Sequence, residues 1–129
     1  MSPLFLTGTG ETPGVMLDKD ADTFEFTGKS LPEDAKEFYG PILAWFDSYV
    51  EAPNPKTILK MKMDYFNTAS SKMLLEVFER IKALQDASHD VVIEWHYHED
   101  DEDMYDAGQD YSDMVGVPFE FISHQQVIA

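Results

Sequence analysis

The sequence predicts an α/β fold, a mixed and mostly parallel sheet with an N-terminal β-hairpin and helices packed on it. Two observations predict this class. First, short runs with the apolar pattern of strands are separated by longer runs whose apolar residues recur every three or four positions, as in helices. Second, the order is hairpin, helix, strand, helix, strand, helix, strand, and helical crossovers favour parallel strand pairing. The length fits a single domain that spans residues 1–129.

The N-terminal part predicts a loop followed by a hairpin. Residues 1–14 contain three Gly, two Pro and three Thr, a composition typical of an irregular arm. Residues 15–18 and 23–29 are short apolar runs on either side of a polar, turn-like cluster. We therefore expect a hairpin, with Phe24 and Phe26 on one face of it.

The first helix is predicted over residues 33–51, because large apolar side chains recur there at helical spacing. These side chains are Phe38, Ile42, Trp45, Phe46 and Tyr49. Acidic residues near its start suit the partial positive charge of a helix N-terminus. Gly40 and Pro41 predict a kink or two abutting pieces, since proline removes a backbone donor and clashes with the preceding turn.

The remaining chain alternates strands and helices. Residues 57–65 alternate apolar and polar side chains, which predicts a strand with one covered face. An amphipathic helix is predicted from about Thr68, with Leu74, Val77, Phe78, Ile81 and Leu84 on its apolar stripe. Strands are predicted over 90–97 and 117–123, and the acidic segment 100–114 between them is predicted to be helical.

The chain is strongly acidic, with nine Lys and Arg against 25 Asp and Glu and a net charge of −16. A field of this sign repels phosphates and anionic lipids, so we expect neither a nucleic-acid nor a membrane partner. Residues 99–113 hold eight carboxylates and no Lys or Arg. This segment is either a solvated helix face or a docking face that speeds association with a basic partner.

Several sequence features that would indicate a membrane, secreted or cysteine-dependent protein are absent. No apolar run approaches the roughly 20 residues of a membrane span, and the first residues lack the pattern of a secretory signal. The absence of cysteine excludes disulfides and zinc–thiolate sites. We therefore expect a cytoplasmic protein.

The segment DYFNTASSKMLLEVFERI, residues 64–81, has four small polar residues between a predicted strand and a predicted helix. They are Asn67, Thr68, Ser70 and Ser71. The spacing fits a helix start in which Asn67 or Thr68 is the N-cap, worth about 1 kcal/mol. It also fits a phosphate site, because the N-terminus of a helix stabilises a phosphate that is bound there or carried by Thr68. Lys72 follows four residues after Thr68 and is a candidate neighbour of such a group.

This segment closely resembles the phosphorylation segment of the SiaC-type regulatory phosphoproteins of bacteria. Residues 65–72, YFNTASSK, are the most specific part of the resemblance, although Ala69 stands where relatives often have serine. Three further stretches agree and extend the resemblance over nearly the whole chain. They are GTGETPGV (8–15), FTGKSLPEDA (26–35) and VVIEWHYHEDDEDMYDAGQDYSDMVGVPFEFI (91–122).

The resemblance implies a fold similar to the STAS domains, the anti-sigma-factor antagonists, with the phosphoacceptor at a strand-to-helix turn. It implies a partner-switching circuit in which a GHKL-type serine/threonine kinase phosphorylates the chain and a metal-dependent phosphatase reverses this. The unphosphorylated form would bind and activate a diguanylate cyclase, raising cyclic di-GMP and favouring biofilm. Motif matching assigns the acceptor to Thr68, with partner-binding residues around it at Tyr65, Asn67, Ser70, Ser71 and Lys72. No cofactor is implied.

A second function class is a small metal-binding or metal-dependent protein. His96 and His98 are two residues apart on a predicted strand, and two histidines with a nearby carboxylate can hold a metal. The acidic run 99–106 lacks the central Gly and the final Glu of an EF-hand loop. No nucleophile–base pair or phosphate-loop motif is present, so the sequence predicts a chain that is not an enzyme.

Overall fold

The computed structural model describes residues 1–125. Residues 126–129 of the predicted domain lie outside the described residues. The strands are β1 (Leu4–Leu6), β2 (Gly14–Asp18), β3 (Thr23–Ser30), β4 (Lys56–Phe66), β5 (Asp90–His98) and β6 (Phe119–His124), and the helices are α1 (Ala35–Tyr49), α2 (Thr68–Asp86) and α3 (Glu102–Val115).

The described strands form one sheet in the order β1-β2-β3-β4-β5-β6. Strand β2 is antiparallel to both of its neighbours, β1 and β3, and β3 to β6 are parallel. This confirms the predicted mixed, mostly parallel sheet with an N-terminal hairpin. Because each crossover leads to the next strand in line and crossovers share one hand, the three helices cover the same face of the sheet.

Burial along β4 shows which face is covered. Its buried residues alternate with exposed residues, as the two-residue period of a strand requires. The buried set is Thr57, Leu59, Met61 and Met63, which lie under the helices with the rest of the hydrophobic core. Lys60, Lys62 and Asp64 point to the opposite face, which the described helices leave open to solvent.

One prediction about the N-terminal half is wrong, and for helix α1 one of the two predicted alternatives is excluded. Residues 1–14 are not wholly irregular, because Leu4–Leu6 pairs with β2 and the indole Nε1 of Trp45 donates to the carbonyl of Ser2 at 2.9 Å. A three-residue strand is too short for its alternation to stand out in the sequence. Helix α1 is continuous rather than two abutting pieces, since Pro41 is exposed in an early turn and the carbonyl it leaves unpaired can be solvated.

Helix α1 also begins two residues later than predicted. Asp34 is the N-cap, and its side chain accepts a hydrogen bond from the backbone N–H of Glu37 at 3.1 Å. A residue whose side chain caps the helix has extended backbone angles, so the helix itself starts at Ala35. The acidic residues at this end therefore serve as the cap and the first turn.

Helix α3 lies directly on β5 because Gly108 faces the sheet. A Cβ atom at Gly108 would stand 2.5 Å from Cδ1 of Trp95 and 2.7 Å from a ring carbon of Phe121. The indole Nε1 of Trp95 donates to the carbonyl of Met104 at 2.9 Å. Among the described residues, no helix combines the length and the apolar character needed to cross a membrane.

Candidate functional site

The candidate site is the turn at which β4 passes into α2. Strand β4 ends at Phe66 and α2 begins at Thr68, with Asn67 between them. Ser30, the last residue of β3, lies beside Phe66 in the parallel register. The turn therefore lies at the edge of the sheet where parallel strands end and helices begin, the usual place for sites in open α/β sheets.

Asn67 is the N-cap of α2. Its side-chain Oδ1 accepts a hydrogen bond from the backbone N–H of Ser70 at 2.8 Å. Its own backbone N–H donates to the carbonyl of Ser30 at 3.0 Å. Of the two candidate caps, Asn67 thus takes the capping role and Thr68 is the first helical residue.

Ser70 is fully buried, with 0% of its surface exposed. Its hydroxyl donates to the carbonyl of Ser30 at 2.9 Å and accepts a hydrogen bond from the Ser30 hydroxyl at 2.8 Å. The Ser30 hydroxyl is also bonded to the phenol of Tyr39 at 2.6 Å. Ser70 therefore joins α2 to β3 and α1, and its burial does not support the prediction that its side chain contacts a partner.

Ser71 is half-buried, and both its side-chain hydroxyl and its backbone carbonyl form hydrogen bonds. Its hydroxyl donates to the carbonyl of Thr68 at 2.7 Å, and its own carbonyl accepts from the phenol of Tyr111 at 2.7 Å. Burial raises the pKa of the Tyr111 phenol, which therefore stays protonated and remains a donor. Through Ser71 the start of α2 is tied to α3.

Thr68 differs from its polar neighbours because its side chain is exposed. Among the hydrogen bonds of the described residues, none involves the Thr68 hydroxyl, while Asn67, Ser70 and Ser71 all use their side chains. Tyr65, just before the turn, is 53% exposed, and Lys72 is exposed one helical turn further on. Among the small polar residues of the turn, Thr68 therefore presents an exposed hydroxyl that is not used in a hydrogen bond of the described residues.

A groove of about 320 Å³ lies beside this turn, between α2 and α3. Its apolar walls include Phe66, Leu75 and Met114, and its charged residues are Lys72 and Asp110. Met114, at 61%, is the most exposed large apolar side chain among the described residues. Exposed apolar surface of this kind marks a surface that can bind another protein.

The acidic segment forms the exposed side of α3. The five carboxylates of the segment that lie in α3 point to solvent, and no Lys or Arg of the described residues forms a salt bridge with them. They are Glu102, Asp103, Asp106, Asp110 and Asp113. Asp101 differs, because its side chain accepts from the backbone N–H of Met104 at 3.0 Å and caps the helix. This side of α3 is therefore acidic and open to solvent.

The histidines do not form the metal site that the second function class requires. His96 is bonded through Nε2 to Glu94 at 3.1 Å and through Nδ1 to His124 at 2.7 Å. His98 lies 3.8 Å from Asp64, on the same open face of the sheet. Within residues 1–125, no group of three or more histidine or acidic side chains is arranged to hold a metal ion. Both ring nitrogens of His96 are instead hydrogen-bonded, one to Glu94 and the other to His124.

Comparison with known proteins decides the family. The sequence profile of the SiaC family, described as regulatory phosphoproteins, matches residues 6–124. This chain belongs to the SiaC family. An uncharacterized protein of Pseudomonas aeruginosa (strain UCBPP-PA14) is 24% identical to it over 126 residues, which are 98% of this chain and 100% of the relative.

Solved structures of SiaC share the fold of this family member. SiaC of Pseudomonas aeruginosa matches with a TM-score of 0.87 at 23% identity, over 96% of this chain and 100% of that chain. A crystal structure of the diguanylate cyclase SiaD in complex with its activator SiaC, from the same organism, matches with a TM-score of 0.86 at 24% identity. That match covers 94% of this chain and 99% of the other.

Two residues of this SiaC-family turn were not predicted from the sequence, Ser30 and Tyr39. Both are fully buried and hydrogen-bonded to each other beneath the turn. Ser30 precedes Ser70 by 40 residues, so no local pattern connects them. Only the parallel pairing of β3 with β4 brings Ser30 beside the start of α2.

Proposed function

We propose that this chain is a non-catalytic regulatory phosphoprotein of a bacterial partner-switching circuit and that Thr68 is its phosphoacceptor. Membership of the SiaC family supports the class. The assignment of the acceptor to Thr68 rests on a contrast within the turn. Ser70 is buried and Ser71 is hydrogen-bonded to the backbone, whereas the hydroxyl of Thr68 is exposed. A kinase must reach the acceptor hydroxyl, and Thr68 satisfies that requirement without rearrangement.

The proposed circuit has three protein partners in the cytoplasm. A GHKL-type serine/threonine kinase adds the phosphate and a metal-dependent phosphatase removes it. The unphosphorylated chain binds and activates a diguanylate cyclase, which raises cyclic di-GMP and favours biofilm. The resemblance of residues 65–72 to the family's phosphorylation segment supports the kinase and phosphatase, and the complex of a related SiaC with the cyclase SiaD supports the cyclase.

The negative charge around the turn explains how a phosphate would switch binding. Phosphorylation adds about −1.5 to −2 charges and three acceptor oxygens. Asp64, Asp101 and Asp103 already line a depression beside Tyr65 and Phe66, so the phosphate would strengthen a negative potential. A partner surface built around the neutral hydroxyl would have to desolvate the phosphate when it docks over this turn. The unmodified hydroxyl carries no such cost.

The rate of cyclic di-GMP synthesis by the purified cyclase tests this function. We expect the unmodified chain to raise the rate and the kinase-treated chain to leave it at its basal value. Thr68→Ala should activate the cyclase even after kinase treatment, because no phosphate can be added at that position. A cyclase whose rate does not respond to the unmodified chain would contradict the proposal.

The absence of turnover by the chain itself is a further part of the proposal. Its support is the lack of a nucleophile–base motif in the sequence together with the pairing of His96 with Glu94 and His124. Hydrolysis of a phosphate, ester or peptide substrate that disappears in His96→Ala would contradict it.

A further inference from the structure

A chain of three buried hydroxyls lies under the candidate acceptor turn. The hydroxyl of Ser70 donates to the carbonyl of Ser30, and the hydroxyl of Ser30 donates to Ser70. Each hydroxyl carries a single proton. The 2.6 Å contact between Ser30 and Tyr39 must therefore be donated by the phenol. The hydrogen bonds are therefore donated in one direction: Tyr39 donates to Ser30, Ser30 donates to Ser70, and Ser70 donates to the carbonyl of Ser30.

The chain of hydroxyls connects three elements at one point. Tyr39 belongs to α1, Ser30 ends β3, and Ser70 lies in the first turn of α2. The carbonyl of Ser30 also accepts from the backbone N–H of Asn67, so both sides of Thr68 are fixed to the same peptide group. All three hydroxyl-bearing residues are 0% exposed, which removes competition from water for these bonds.

We infer that Tyr39, Ser30 and Ser70 are positioning residues for the phosphoacceptor, holding the turn so that the Thr68 hydroxyl stays directed at an incoming kinase. This inference rests on the proposed function of Thr68. Without the hydroxyls, the turn between β4 and α2 would still have its Asn67 cap but would lose its fixed connection to α1. A substrate hydroxyl that moves by a fraction of an ångström reacts more slowly, because transfer requires a narrow approach geometry.

Tyr39→Phe is the mildest test, and Tyr49→Phe is its matched control. Both tyrosines are buried in α1, and both phenols are bonded to the hydroxyl of a strand residue, Tyr49 to Thr57 at 2.7 Å. The Tyr49 phenol also accepts from the backbone N–H of Asn54, far from the acceptor turn along β4. The two variants therefore remove the same group from opposite ends of α1.

Native-state amide hydrogen exchange provides the first measurement and needs no kinase. In Tyr39→Phe, we expect the amides of Asn67, Ser70 and Ser71 to exchange about three- to tenfold faster, the effect of one lost hydrogen bond on local opening. In Tyr49→Phe, the amide of Asn54 should be accelerated and the three turn amides unchanged. Equal acceleration of the turn amides in both variants would overturn the inference.

Phosphorylation kinetics provide the second measurement, with the GHKL-type kinase of the circuit. We expect Tyr39→Phe to lower kcat for Thr68 about three- to tenfold with little change in KM, because the exposed surface that meets the kinase is intact. Tyr49→Phe should retain the wild-type kcat. A wild-type kcat in Tyr39→Phe would overturn the positioning role.

A double variant tests whether the hydroxyls act as one unit. Ser70→Ala should lower kcat as Tyr39→Phe does, and the combined variant should be no slower than the slower single variant, because either change breaks the same chain. If the reductions in kcat of the two single variants multiplied in the double variant, the hydroxyls would act independently, and the claim that they act as one unit would be overturned. Phosphate on a residue other than Thr68 in the wild-type chain would overturn the proposed function itself, a result that differs from a normal kcat with Thr68 modified.

Discussion

The side-chain Oδ1 of Asn67 accepts a hydrogen bond from the backbone N–H of Ser70 at 2.8 Å. The cap of α2 and the exposed hydroxyl of the turn therefore belong to adjacent residues, Asn67 and Thr68. Because the two roles are separate, substitutions of the two residues have different expected effects: loss of the Asn67 side chain removes the cap, and loss of the Thr68 hydroxyl removes the proposed phosphoacceptor.

The first prediction concerns the cap. Asn67→Ala should lower the free energy of unfolding by about 1 kcal/mol, since the Ser70 amide loses its acceptor. Thr68→Ala should change it by no more than about 0.5 kcal/mol, as expected for an exposed position without a hydrogen bond. Urea denaturation measures both, and Asn67→Asp, which keeps a capping oxygen, is the control. A larger loss in Thr68→Ala than in Asn67→Ala would show that Thr68 is the cap.

The second prediction compares a carboxylate at two positions of the same turn. Thr68→Asp should keep or slightly raise the free energy of unfolding, because a negative charge near a helix N-terminus is favourable. Ser70→Asp should lower it by about 3 kcal/mol or more, since it buries a charge without a cationic partner. Equal stabilities of the two variants would contradict the burial of Ser70.

The third prediction concerns the contact between α3 and the sheet. Gly108→Ala should lower the free energy of unfolding by about 1–3 kcal/mol, because its Cβ would overlap the ring of Trp95. Gly40→Ala in α1 is the control, since a Cβ there meets no atom within 4 Å. Thermal melts of both variants test this, and a Gly108→Ala melt that matches the wild type would mean that α3 does not lie so close to β5.

The fourth prediction concerns the exposed carboxylates of α3. If they speed association with a basic patch on the cyclase, the association rate constant should fall as ionic strength rises, since salt screens exposed charges. Asp106→Asn combined with Asp113→Asn should weaken this salt dependence, and Asp20→Asn, on the β2–β3 turn, should not. Stopped-flow association at several salt concentrations measures the effect. A rate that is flat from low to physiological ionic strength would leave the segment as a solvated face.

The sequence predicted most elements because their apolar periodicities extend over many residues. The long alternation of β4 and the stripe of α2 left few alternatives, and the structure has both. Strand β1 was missed because three residues carry too little pattern. The division of α1 at Pro41, one of the two predicted alternatives, was wrong because the carbonyl left unpaired there can reach solvent. Both features depend on the tertiary structure around these residues, which local sequence patterns do not show.

The candidate site was predicted only as a group of residues, and its internal roles required the structure. Small polar residues at a helix start share the same local preferences, so the sequence left open which of them caps and which is exposed. Burial separates them, because Ser70 is hydrogen-bonded to Ser30 across 40 positions of the chain and Ser30 is in turn bonded to Tyr39, whereas Thr68 is exposed to solvent. These partners depend on the pairing of β3 with β4.

The central claim, that Thr68 is the phosphoacceptor, is tested most directly by mass-spectrometric site mapping after treatment with the kinase of the circuit. The wild-type chain should gain one phosphate, located on Thr68, and Thr68→Ala should gain none while keeping the wild-type melting temperature. A phosphate on Ser70 or Ser71, or a Thr68→Ala chain that is still modified, would contradict the assignment.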